Sequence, residues 1–176
     1  MKVACQERQI LRNTPVVNRI YIFLIAFWVI VFDQLSKQAI SKQLLFGQKV
    51  NLIDNLISFT KIYNTGAAFS ILQKNTLLLI LFSLFVTIAI TYYFTKRVKL
   101  LPPMLALAWG LILGGTVGNL IDRITFGYVI DFIRLDFINF PIFNLADISI
   151  NLGAILIVLH AFFKVPTSFF PKNKDS

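Results

Sequence analysis

The stretch "VIDFIRLDFINFPIFNLADISINLGAILIVLHAFF", Val129 to Phe163, sets the terms for the whole chain. Its second half is an apolar run of the length needed to cross a bilayer, about 20 residues for roughly 30 Å of hydrocarbon. Yet Asn144, Asp147 and Asn151 fall in the first turns of that run, and another carboxylate, Asp131, lies upstream of it. At i, i+3 and i+7 the three side chains share one face of a helix. A polar stripe confined to one half of a span predicts a wet cleft in a membrane protein.

Composition agrees. With 57% hydrophobic residues, 14% charged residues and 18 Phe in 176 residues, the chain carries more apolar surface than one soluble domain of its size can bury. Ile20 to about Ile40, Leu77 to Phe94, Met104 to Ile121 and Ile142 to Phe163 are the predicted spans. The expected fold class is therefore an all-α membrane protein with four transmembrane helices, a single integral-membrane domain over 1–176 with tails at 1–19 and 164–176. The first span follows Lys2, Arg8, Arg12 and Arg19 as a secretory leader would, but no A-x-A-like site follows it and three more spans do. It is read as retained. Cys5 has no apolar run before it, so it is not a lipid-attachment site, and a lone thiol builds neither a disulfide framework nor a cysteine cluster for metal.

A formal net charge of +9 raises the question of nucleic acid, but the basic residues are spread over tails and loops. Orientation explains them better. Four precede the first span, Lys96, Arg97 and Lys99 sit in a short loop, and Lys164, Lys172 and Lys174 follow the last span, ten of seventeen on one side. The positive-inside rule then places both termini in the cytoplasm and the connections 41–76 and 122–141 outside.

The eight acidic residues can be taken singly. Glu7 and Asp175 are in the tails, and Asp54 and Asp136 read as loop residues. Asp33, Asp122, Asp131 and Asp147 all fall at the outer face of the topology just derived, which used only Lys and Arg. Ionisable groups at membrane depth are costly and usually point inward. Asp122 beside Arg123 reads equally as a structural ion pair, and Asp33 as a helix cap or anchor. Asp131 and Asp147 have no basic neighbour in their own turn. Asn64, Asn119, Asn144 and Asn151 add amides that need partners in lipid. Gly114 and Gly118 at G-x-x-x-G spacing read as plain helix packing.

Zinc chemistry is not expected, because the lone histidine, His160, lies thirteen residues past Asp147, about 20 Å along a helix. The same distance removes a Ser-His-Asp triad. Lys37 and Ser41 at i, i+4 could form a Ser-Lys dyad, but Lys37 at a membrane edge reads better as a snorkelling anchor. A carboxylate pair remains. Two such groups around one water share a proton, so one serves as general base while the other donates to a carbonyl oxygen. The rival reading is a small proton-coupled transporter, since intramembrane aspartates also relay protons, although no acid lies in the cytoplasmic halves and no repeated half is visible.

Five ordered blocks now carry a resemblance. "FDQLSK" (32–37), "YNTGAAFS" (63–70), "GGTVGNLIDRI" (114–124), "YVIDFI" (128–133) and "FNLADISINLG" (143–153) resemble the signature blocks of lipoprotein signal peptidase, also called signal peptidase II. The resemblance implies an intramembrane aspartic endopeptidase of the bacterial cytoplasmic membrane that cuts prolipoproteins just before a diacylglyceryl-modified cysteine. It implies Asp131 and Asp147 as catalytic, with Asp33, Asn64, Asn119, Asp122, Arg123 and Asn144 as supporting residues. It further implies a small extracytoplasmic β-cradle and a short mobile helix within 41–76, no metal or other cofactor, contact with membrane lipids and inhibition by globomycin-type cyclic peptides. "LISFTKIY" before "NTG" is compatible with a short strand. Ile148 departs from the small or hydroxyl residue often found after the last aspartate.

Overall fold

The computed structural model describes residues 16–66 and 75–163. Among these residues four helices are long and apolar enough to cross a membrane: α1 (Ile20–Gln43), α2 (Thr76–Lys96), α3 (Pro103–Phe126) and α4 (Leu145–Phe163). Five strands accompany them: β1 (Val17–Asn18), β2 (Lys49–Ile53), β3 (Ile57–Asn64), β4 (Leu100–Leu101) and β5 (Val129–Leu135). Phe27, Trp28, Phe82, Phe85 and Phe162 stay exposed on the helices, the arrangement expected where lipid replaces water as the outer solvent. Asp33, Lys37, Asn119 and Asp122 are buried among the helices instead.

Helix α3 is central, packing against α1, α2 and α4. Small residues permit this, since a Cβ at Gly114 would lie 2.6 Å from that of Val29 and one at Gly115 would meet the Ala146 carbonyl. The packing role expected of Gly114 holds. Gly118 adds something more specific, because a Cβ there would lie 2.6 Å from Oδ2 of Asp33. The missing side chain makes room for a carboxylate.

The two ends of the bundle are closed differently. At one end β1 pairs antiparallel with β4, and the Arg19 guanidinium donates to the carbonyls of Phe94, Thr95 and Val98 where α2 ends. A cation there satisfies carbonyls that the helix leaves unpaired. At the other end β2, β3 and β5 form an antiparallel sheet with β3 in the middle. Two of its strands lie within 41–76, where the resemblance implied a small β element, and the third, β5, comes from outside that range. Among the described residues of 41–76 no separate short helix occurs, and 67–74 lie outside the described residues, as do the tails 1–15 and 164–176 with their charges.

Two of the helix boundaries that differ from the hydropathy reading do so for a polar reason. Helix α3 runs past Ile121 to Phe126 because Asp122 and Arg123 both find partners, and it stops at Gly127, whose φ of 81° suits a C-terminal glycine. Helix α4 starts at Leu145 and not at Ile142. Before it, Phe143 exchanges backbone hydrogen bonds with Ile133, its N–H to the Ile133 carbonyl at 3.1 Å and the reverse at 2.8 Å. That bridge carries the chain from the sheet directly into the helix.

Candidate active site

Two carboxylates, Asp131 from β5 and Asp147 from α4, line one cavity of about 640 Å³ at the sheet-capped end of the bundle. Each arrives there by local rules. In β5, Asp131 stands opposite Ile62 of β3, so Asn64, two residues on, is its diagonal neighbour on the same face. Asn64 Nδ2 accordingly donates to Asp131 Oδ2 at 2.8 Å. Asp147 belongs to a capping box: its backbone N–H donates to Asn144 Oδ1 at 2.9 Å while its Oδ2 accepts the Asn144 N–H at 3.1 Å. "NLAD" thus starts the helix and delivers the carboxylate together.

Amides join the two acids. Asn144 Nδ2 donates to Asp131 Oδ1 at 2.6 Å and to Asn119 Oδ1 at 3.1 Å. Asn119 Nδ2 donates to Asp147 Oδ1 at 2.9 Å. Both carboxylates therefore face N–H donors on both oxygens. Asp131 is buried, and its carboxyl is pushed up to about 7, first by burial and then by the negative charge of Asp147, against the opposing hydrogen bonds of Asn64 and Asn144. Two like charges facing one cavity favour holding one proton between them.

A second layer lies beneath. Asp33 Oδ1 accepts the backbone N–H of Ala146 at 3.0 Å, capping α4 from α1. Asp122 Oδ2 accepts the backbone N–H of Ile130 at 3.2 Å, pinning β5 beside Asp131. Between these two acids lies Lys37, whose ammonium is 2.7 Å from Asp33, 3.0 Å from Asp122 and 3.0 Å from Asn119 Oδ1. Gln34 Nε2 donates to both acids as well, at 3.2 and 2.9 Å.

Two sequence readings need correcting. Lys37 is not a snorkelling anchor: it is buried, because two acids in the apolar bundle demand a counter-charge that water cannot supply there. Held by two carboxylates, its ammonium cannot act as a base, so no Ser-Lys dyad with Ser41 forms. Nor does Asp122 pair with Arg123. Neighbours on a helix point apart, so Asp122 turns into the bundle while the Arg123 guanidinium faces the cavity and donates to the Gly66 carbonyl at 3.1 Å. Asn151 also lines the cavity, and His160 sits in the opposite, last turn of α4. Gln34 went unnoticed in the sequence and the role of Lys37 was misread; the i, i+4 spacing of Asp33 and Lys37 was the available signal.

The pair makes a definite expectation. Replacing Asp122 with Ala leaves the Ile130 N–H without its acceptor and Lys37 with one acid fewer, a loss of about 3 kcal/mol. Thermal unfolding in detergent should fall by roughly 6–12 °C for a chain of this size, with lower folded yield. Unchanged thermal stability with lost activity would instead assign Asp122 to the chemistry.

Comparison with known proteins points one way. A family model described as Signal peptidase (SPase) II matches residues 25–163. The chain belongs to this family. The lipoprotein signal peptidase of Streptococcus agalactiae serotype Ia is 40% identical over 142 residues, covering 81% of this chain and 92% of the relative. That of Pseudomonas aeruginosa strain UCBPP-PA14 is 43% identical over 141 residues, 76% of this chain and 83% of the relative. Two solved bacterial membrane enzymes share the fold. One has a TM-score of 0.76 at 33% identity, covering 88% of this chain and 93% of its own; the other has 0.73 at 34%, with 82% and 94%. The transporter alternative has no support in these matches.

Proposed function

We propose that this protein is an intramembrane aspartic endopeptidase that removes signal peptides from bacterial prolipoproteins, with Asp131 and Asp147 as its catalytic pair. The supporting observation is the shared cavity in which both carboxylates are held by amide donors. Burial puts the shared proton on Asp131, and Asp147 is the base. Asp147 removes a proton from water as its oxygen attacks the carbonyl carbon of the residue before the modified cysteine, while Asp131 protonates the carbonyl oxygen. The resulting gem-diol collapses with rupture of the C–N bond, and the proton passes to the leaving amine. The products are a signal peptide with a free carboxylate and a cysteine with a free α-amino group.

The orientation follows from the basic loops and tails: one integral-membrane domain with both termini in the cytoplasm of the bacterial cell and the cavity toward the extracytoplasmic side. Phe137, Ile138 and Phe140 are exposed, and Phe140 also lines the cavity, so that the segment meets acyl chains at the interface. Asn64, Asn119 and Asn144 hold the dyad, Asp33 and Asp122 hold the elements that carry it, and Arg123 faces the substrate. Globomycin-type cyclic peptides occupy the same cavity in competition with substrate. The test is incubation of the purified protein in detergent with a diacylglyceryl-modified prolipoprotein. A mass loss equal to the signal peptide supports the reading, and an intact precursor with folded enzyme contradicts it.

A further inference from the structure

Among the described residues Lys37 carries the one buried ammonium in the layer beneath the cavity, and the mechanism above gives it no part. We propose that it is a positioning residue for Asp147, acting through the side-chain amide of Asn119. This rests on the dyad reading.

An ammonium has three hydrogens to donate and no lone pair. Lys37 meets three acceptors, Asp33 Oδ2, Asp122 Oδ2 and Asn119 Oδ1, at 2.7, 3.0 and 3.0 Å. As a counter-ion for the two acids alone it would need only two of them. The third contact helps to fix which way round the Asn119 amide lies, since only its oxygen can face a pure donor. Asn144 Nδ2 donates to that same oxygen at 3.1 Å. The NH₂ group is thereby turned to Asp147 Oδ1 at 2.9 Å. With the amide reversed, an oxygen would face that carboxylate and an NH₂ would face both Lys37 and Asn144, three repulsive contacts in place of three hydrogen bonds.

The consequence for Asp147 is rotational. Its Oδ2 is held by the Asn144 N–H and its Oδ1 by Asn119, so losing the second contact frees the carboxylate plane to turn away from the attacking water. Misplacement of this kind lowers turnover with little effect on substrate binding. The charged groups around the contact are Asp33 from α1, Asp122 and Arg123 from α3, Asp131 from β5 and Asp147 from α4.

The test is a double-mutant cycle. Lys37→Arg, which keeps the positive charge, and Lys37→Met are each measured alone and with Asn119→Ala, reading kcat, KM and thermal unfolding on acylated precursor, with Asp147→Asn in parallel. Lys37→Arg should fold and lose about tenfold or more in kcat with KM within about twofold, because a planar fork does not fit three acceptors around a point. In the Asn119→Ala background neither substitution should lower kcat further. Equal factors in both backgrounds, full kcat in Lys37→Arg, or loss of folding in both Lys37 variants would each overturn the proposal. If Asn119→Ala turns over too slowly to measure, Lys37→Arg alone decides. Turnover retained by Asp147→Asn sinks the dyad reading and this one together, whereas an inactive Asp147→Asn with equal factors sinks this one only.

Discussion

Replacing Asp131 or Asp147 with Asn should each lower kcat by about 10³-fold or more while leaving the protein folded and inserted. An amide has nearly the shape of a carboxyl group but cannot exchange the proton that the mechanism moves twice. The surroundings can absorb the change. Asn64 donates to Asp131 through Nδ2 and accepts the Gly66 N–H through Oδ1, so local rearrangement of one amide accommodates a second at 131. At 147 the retained oxygen still takes the Asn144 N–H that starts α4, and the new NH₂ gives up only the hydrogen bond from Asn119. Cleavage is followed by mass spectrometry and folding by size exclusion and thermal unfolding. Near-normal turnover in either variant would remove that residue from the pair.

The second large effect concerns the substrate. Unacylated precursor, with the same peptide bond, should be cut with kcat/KM at least about a hundredfold below that of the diacylglyceryl-modified form. The dyad lies where the bundle meets its sheet, not in open water, so the scissile bond must be held at that depth. Each buried methylene contributes about 0.8 kcal/mol, and two acyl chains therefore anchor the cysteine far more strongly than a short peptide contact. Lipidation on this account positions the bond. Equal efficiency for the two precursors under identical detergent conditions would reduce the lipid to a tag.

Much of this was legible in the sequence because lipid simplifies the rules. Apolar runs of spanning length gave four helices, and the acids, too few and too costly to be incidental, marked one end of the bundle. The blocks around Asp131 and Asp147 singled out two carboxylates that the fold brings to one cavity. What stayed hidden was non-local. Nothing in "FDQLSK" says that Lys37 turns inward, since the second acid that holds it, Asp122, comes from another helix. The same contact took Asp122 away from Arg123, its neighbour in the chain. Strand β5 was missed as an element because the apolar residues of "VIDFIRL" mask its alternation, its first four residues all being buried. The start of α4 was misjudged by hydropathy, which counts Ile142 and Phe143 as span, whereas the Asn144 capping box decides the first turn.

The central claim is that Asp131 and Asp147 work by sharing one proton, and the pH dependence of kcat/KM on acylated precursor tests it most directly. Below the lower apparent pKa of the pair both carboxyls are protonated and no base remains; above the upper one both are ionised and no acid remains. Burial and the Asp147 charge raise Asp131 to about 7, so activity should follow a bell whose alkaline limb falls near pH 7, within about one unit. A limb there, lost together with activity in Asp131→Asn, is the result this account predicts. Activity that stays level or climbs from pH 6 through pH 9 would contradict it.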